Sequence, residues 1–218
     1  MLTVKIESDP NLECPMDIDG AWTLYSFCRR HLHFCAPDDL PCSKRGPAIR
    51  FTVVGNELEM KVCDPGLRVK MRVGLAFVLS YYEHSGSLWM LKDGNIPGGV
   101  EFQWDGTRIA GLLVWNHDPS DMGAKSYPDR MKDAQSFLDE YNAWANGDGL
   151  CYTIEDAEGN MIDSCMGYVS DNKADMINDI RAAIRETPGH EIELTGDCAW
   201  VTCVEELSKP EEVAVCQS

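Results

Sequence analysis

Residues 126–187 read SYPDRMKDAQSFLDEYNAWANGDGLCYTIEDAEGNMIDSCMGYVSDNKADMINDIRAAIRET, and this stretch decides the fold. Ser126 followed by Asp129 is a capping-box-like helix start, and Pro128 sits in the first turn, where its missing N–H costs nothing. Met131, Ala134, Leu138, Tyr141 and Ala145 recur at helical spacing, and Asn146-Gly147 supplies the stop. Leu150–Glu155 and Met161–Val169 are extended runs on either side of Asp156-Ala157-Glu158-Gly159-Asn160, a turn sequence with Gly inside it. Ala174, Ile177, Ile180 and Ile184 line one face of a second helix that ends before Pro188. The segment therefore predicts helix, strand, strand, helix.

Working outward, Leu2–Glu7 alternates as a strand does, and Trp22–His33 suits either a short helix or a strand. Ala36–Pro47 has three prolines and no periodicity, which predicts a loop. Ile49–Val54 and Leu58–Cys63 flank Gly55-Asn56 as a hairpin. Arg68, Lys70 and Arg72 alternate with Val69, Met71 and Val73, which predicts a strand with one basic face. Leu75–Tyr82 is a nearly continuous apolar run suited to a central strand, with Ser87–Leu91, Val100–Trp104 and Ile109–Trp115 as further strands. Glu191–Leu194 and Ala199–Val204 are short strand candidates ahead of an acidic tail. Strands first and helices later predict an α+β protein, with a mainly antiparallel sheet in the N-terminal half and the αββα segment in the C-terminal half. The chain divides by composition into a β-rich region 1–125, the segment 126–187 and a remainder 188–218, as separate parts or one domain.

Of the 218 residues, 44% are hydrophobic and 25% charged, as in ordinary globular proteins. No apolar run approaches the roughly 20 residues that span a bilayer. The start, Met-Leu-Thr-Val-Lys-Ile-Glu, alternates like a strand instead of resembling a leader, so a cytoplasmic location is expected. The ten cysteines are then expected to be reduced. The net charge is −17. Residues 128–218 hold 20 acids against 6 bases, whereas residues 1–127 hold 16 against 13. Such a field repels nucleic acid and acidic membranes and attracts basic partners, although solubility alone also accounts for acidity.

Candidate chemistry is sparse. Cys28, His31, His33 and Cys35, with Cys42 beyond, offer zinc-type donors, but a paired Cys-x-x-Cys is missing. Buried thiols and surface histidines are the better expectation, with no metal. His84 beside Ser85, with Asp105 or Asp118 further on, has the residue types of a hydrolase. Neighbours on a strand point to opposite faces, however, so His84 is expected to hold the turn at Gly86. The 156–160 turn lacks the ligand pattern of a calcium loop. The chain has no phosphate loop, dinucleotide fingerprint or His-Glu-x-x-His, so no cofactor is expected. Asp171, Asp175 and Asp179 stand four residues apart on the second helix, where like charges cost a few tenths of a kcal/mol per pair.

Tyr82-Glu83-His84-Ser85-Gly86, Trp104-Asp105-Gly106 and Gly111 resemble the Tyr-Asp-His-Ser-Gly and Trp-Asp-Ser-Gly motifs of a family of largely uncharacterised bacteriophage and prophage proteins. Tyr141, Gly147-Asp148, Tyr152, Glu155-Asp156 and Asp163-Ser164-Cys165-Met166-Gly167-Tyr168 are similar to its C-terminal signature, which usually reads Asp-Ser-Cys-Trp-Gly-Phe at the last motif. The similarity covers about residues 75–185 and departs from the pattern at Glu83 and Met166. It implies a gene carried by a mobile element and expressed inside a bacterium, without implying an activity.

These features lead to a non-enzymatic inhibitor of a bacterial defence nuclease, restriction enzyme or CRISPR complex. It would present carboxylates to a basic nucleic-acid-binding surface through Asp171, Asp175, Asp179, Asp139 and Glu140. The alternative is a small-ligand or metal-dependent enzyme with its site near His84, Trp104 and Asp105. A third option has the N-terminal sheet touching nucleic acid through Arg68, Lys70 and Arg72.

Overall fold

An apolar run without alternation needs cover on both faces of its strand. A computed structural model describing residues 1–18, 20–41, 47–55, 57–83, 86–92, 106–169, 173–186 and 192–196 shows how Leu75–Tyr82 obtains it. The chain opens with β1 (Leu2–Ser8), α1 (Pro15–Ile18), β2 (Trp22–Ser26), β3 (Ile49–Val54), β4 (Glu57–Val62) and α2 (Pro65–Arg72). It continues with β5 (Ala76–Glu83), β6 (Ser87–Leu91), β7 (Gly106–Trp115) and α3 (Tyr127–Asn146). The last elements are β8 (Gly149–Glu155), β9 (Met161–Val169), α4 (Lys173–Glu186) and β10 (Ile192–Gly196). The fold is α+β, with antiparallel sheet dominating the N-terminal half.

Two compact units are present, residues 14–146 and residues 1–13 with 147–218. They divide the chain elsewhere than at residue 125. The elements α3, β8, β9 and α4 follow one another as the sequence predicts, yet α3 packs with β2, β5 and β7, while β1 pairs with β8.

In the unit 14–146, the strands run in the order β2-β7-β5-β6 with antiparallel pairs throughout. Phe77, Leu79 and Tyr81 of β5 join Trp22, Leu113 and Trp115 in a core with Ala134, Phe137, Leu138 and Tyr141 of α3. Ala76 and Val78, on the other face, join Leu112 and Val114 in a core with Ile49 of β3 and Leu67 of α2. The separate β3–β4 hairpin thus covers one side of the sheet and α3 the other. Gly111 sits where no side chain fits, since a Cβ there would lie 2.4 Å from the Tyr25 carbonyl oxygen.

The edge of this sheet is closed by a helix. The amide of Asn142 accepts from Trp89 N–H at 2.7 Å and donates to the Trp89 carbonyl at 2.9 Å. One turn on, Asn146 does the same for Ser87, at 2.7 and 2.9 Å. Four helical residues rise about 6.0 Å and two strand residues about 6.8 Å, so the two amides match alternate residues of β6. Gly86 belongs to the same arrangement, because a Cβ there would lie 3.1 Å from Asn146 Oδ1.

The basic stretch 68–72 is helical, contrary to its strand-like alternation. Asp64 is the N-cap, its carboxylate accepting from Leu67 N–H at 2.7 Å, and Pro65 opens the first turn. On a helix, residues two apart face nearly opposite ways, so Arg68, Lys70 and Arg72 form no single basic face. Lys70 is occupied by the carbonyl of Trp115 and Arg68 by that of Cys63. This removes the basis for nucleic-acid contact by a basic strand.

In the other unit the order is β10-β1-β8-β9, with β1 antiparallel to β8 and parallel to β10. Leu2, Val4, Ile6, Leu150, Tyr152, Ile154 and Tyr168 face Met176, Ile177 and Ile180 of α4. The expected helical face is shifted, as Met176 is buried and Ala174 exposed. Asp156 organises the β8–β9 turn by accepting from the N–H groups of Glu158 and Asn160, with Gly159 at φ 82°. Gly167, at φ 85°, marks a bulge in β9 where its N–H reaches Asp9 Oδ2 at 2.9 Å. The strand candidates 100–104 and 199–204 lie outside the described residues.

Replacing Asn142 with Ala strips both hydrogen bonds from the buried Trp89 backbone and should cost about 2–3 kcal/mol. Asn146→Ala should cost less, because the Ser87 end is exposed to water. Urea unfolding measures both, and equal, small effects would contradict the clamp.

Candidate functional site

The segment after β2 doubles back on Ser26. Ser26 N–H donates to the His33 carbonyl at 2.9 Å, and Cys35 N–H donates to the Ser26 carbonyl at 2.8 Å. The buried Ser26 hydroxyl accepts from Cys28 N–H at 3.1 Å and lies 2.7 Å from His31 Nδ1. The hydroxyl can donate to Nδ1 or accept from it according to the tautomer, and in either case it partners that ring nitrogen. Nε2 is buried and has no hydrogen-bond partner among the described residues. The ring instead packs 4.4 Å from Tyr81 and, edge to face, 5.2 Å from Trp89. Burial lowers the pKa of His31, and the same cause lowers that of His33, whose ring meets Tyr141 and Trp144 at 5.7 and 6.1 Å.

Two concavities adjoin this loop, with volumes of about 800 and 520 Å³. Arg30, His31, Tyr81 and Glu83 line both. The larger adds Phe27, Cys28, Phe51, Leu58 and Thr107, and the smaller adds Trp89, Tyr141, Trp144 and Ser87. Arg30 and Glu83 approach to 4.0 Å, with side chains 83% and 55% exposed. The Tyr81 hydroxyl lies 3.1 Å from Ser87 Oγ, and burial raises its pKa. His84, Ser85, Trp104 and Asp105 lie outside the described residues, but Glu83 and Gly106 beside them line the larger concavity.

Among the described residues, the candidate metal donors form no metal-binding group. Cys28 and His31 both line the larger concavity, but the His31 ring packs on Tyr81 and its Nδ1 meets the Ser26 hydroxyl, and the Cys35 thiol donates to the Ala36 carbonyl at 3.6 Å. Cys42 lies outside the described residues. Among the described residues, no three His, Cys, Asp or Glu side chains are placed to hold a metal ion.

The candidate carboxylates split between the units. Asp139 and Glu140 are half-buried on α3, and Asp139 accepts from Gln135 Nε2 at 2.8 Å. Asp175 is exposed on α4 in the other unit, and Asp171 lies outside the described residues. Asp179 has a structural partner, the Tyr168 hydroxyl, which donates to it at 2.6 Å. Tyr152 similarly donates to Asp163 at 2.8 Å. Burial first, and the facing carboxylate second, raise both tyrosine pKa values. Charge follows the same division. The unit 1–13 with 147–218 holds 19 acids against 5 bases, a net of −14, and the unit 14–146 holds 17 against 14, a net of −3.

Sequence reasoning missed the roles of Arg30, Tyr81 and Glu83 around His31, because nothing local ties residues 28–34 to β5. Asn142 and Asn146 carried a usable signal in two amides one turn apart beside an apolar face. No family model, curated protein or solved structure matches the chain. No helix among the described residues is long and apolar enough to cross a membrane.

The histidines predict a pH dependence. His31 and His33 sit below the ordinary value of 6.5 in the fold, so the unfolded chain binds protons first as pH falls. Their contribution to stability is full above the unfolded value and is lost as pH drops through the lowered folded ones. Thermal unfolding between about pH 7 and 5 should show a shallower loss for His31→Gln than for the wild type. Identical slopes would contradict a neutral His31.

Proposed function

We propose that this protein is a non-enzymatic acidic inhibitor encoded by a phage or other mobile element. In this reading it works in the bacterial cytoplasm, where it occupies the basic nucleic-acid-binding surface of a defence nuclease, restriction enzyme or CRISPR complex. The observation that carries the reading is the segregation of charge, a net of −14 in one unit against −3 in the other. Solubility alone does not require such a division, whereas imitation of a polyanion does. Duplex DNA carries one charge per about 1.7 Å of axis, and the proteins that bind it meet that charge with Lys and Arg. The similarity to phage and prophage proteins through Gly86, Gly111, Tyr152 and the 163–168 motif supports the same cellular setting.

The contacts refine the list of interface carboxylates. Asp179 holds Tyr168, so its charge is partly committed to the fold, while Asp175 is exposed. Asp148 and Glu158, exposed in the same unit, join Asp175 as carboxylates available to a partner. A second reading, a small-ligand site, is favoured by the concavity of about 800 Å³ that Glu83 and Gly106 line.

The test is competition. A defence complex captured from a bacterial lysate should release duplex DNA when the protein is added, and less so as salt rises. The triple change Asp148→Asn, Glu158→Gln, Asp175→Asn should weaken that release and flatten its salt dependence. Stability should stay within about 0.5 kcal/mol, as for ordinary surface substitutions. Unchanged competition by the triple variant would remove these carboxylates from the interface.

A further inference from the structure

The smaller concavity is lined by two ring pairs, Tyr81 with Trp89 at 4.7 Å between centroids and Tyr141 with Trp144 at 5.3 Å. Its volume of about 520 Å³ lies within the range of about 300–1,000 Å³ common for small-molecule sites. Glu83 and Arg30 are the charged residues among its described lining.

We propose that this concavity binds a compact organic cation, a tertiary or quaternary ammonium group, against its aromatic walls with Glu83 as counter-ion. Aromatic faces carry the negative end of a quadrupole and attract cations, most strongly where water is excluded. An anion would meet the carboxylate of Glu83, in a unit whose own net charge is −3. The wall adds no positive charge of its own at His31, where the Ser26 hydroxyl occupies Nδ1 and Nε2 is sealed from water. Arg30 is the chain's own cation at this place, 4.0 Å from Glu83. Because both partners are largely exposed, that pair is worth little, and an incoming ammonium replaces the guanidinium at the carboxylate without leaving it unpaired. The inference rests on the unit 14–146 and is independent of the acidic-inhibitor reading.

Choline and its uncharged carbon isostere, dimethylbutanol, form the decisive probe pair, since they share shape and differ in charge. Titration of the full-length protein with each, followed by the indole N–H signals of Trp89 and Trp144, should show choline binding about tenfold more tightly. Glu83→Gln and Trp144→Leu should each weaken choline, whereas Arg30→Ala should strengthen it by removing the competing cation. Glu83→Gln alters an exposed side chain and so keeps the test valid if Trp144→Leu does not fold. Choline that leaves both indole signals unmoved, or an isostere that binds equally well, would overturn the proposal. Weaker binding to Arg30→Ala would overturn it as well.

Discussion

A sheet edge is a row of unpaired amides and carbonyls that will pair with any strand it meets. In the larger unit that row belongs to β6, and two asparagine side chains of α3 satisfy it at Ser87 and Trp89. The amide group of asparagine carries one donor and one acceptor side by side, so each residue imitates a short piece of neighbouring strand. Much else follows from this pairing. It sets the height of α3 along the sheet, which places Ala134, Phe137, Leu138 and Tyr141 over Phe77, Leu79 and Leu113. It also brings Tyr141 and Trp144 beside Trp89, and the smaller concavity is the space left among them.

The other unit solves a different problem. Its sheet is covered by α4 on the side of Leu2, Val4, Ile154 and Tyr168. The two tyrosines in that layer end at carboxylates, Tyr152 at Asp163 and Tyr168 at Asp179. Part of the acidity is therefore structural, since a buried ring with a polar tip needs an acceptor at the boundary. Asp9 and Asp156 also hold backbone N–H groups, whereas Asp148, Glu158 and Asp175 stand exposed.

Caps and turns were the legible part of the sequence. Ser126 does cap α3, with its hydroxyl 3.3 Å from Asp129 N–H, and Gly147 does leave the helix at φ 72°. The Asp156–Asn160 turn and the position of α4 followed from chemistry within a few residues. Residues 68–72 are helical despite the alternation of Arg and Lys with Val and Met, because Asp64-Pro65 is a local helix start. Tertiary choices were illegible for a different reason. Whether α3 packs on β5 or on β8 depends on contacts far apart in sequence, as does the meeting of His31 with Tyr81 and Trp89. Within the acidic stripe, spacing located Asp175 and Asp179 on one helix but carried no sign that Tyr168 would claim Asp179.

If α3 closes the sheet as described, the Trp89 amide is as much a part of the core as an amide of a central strand. Native-state hydrogen exchange of Trp89 N–H measures this directly. The account predicts exchange only through opening of the whole unit, at the same free energy as amides of β5 and β7. Exchange of Trp89 N–H at the low free energy of a fraying edge, with β5 and β7 still protected, would contradict it.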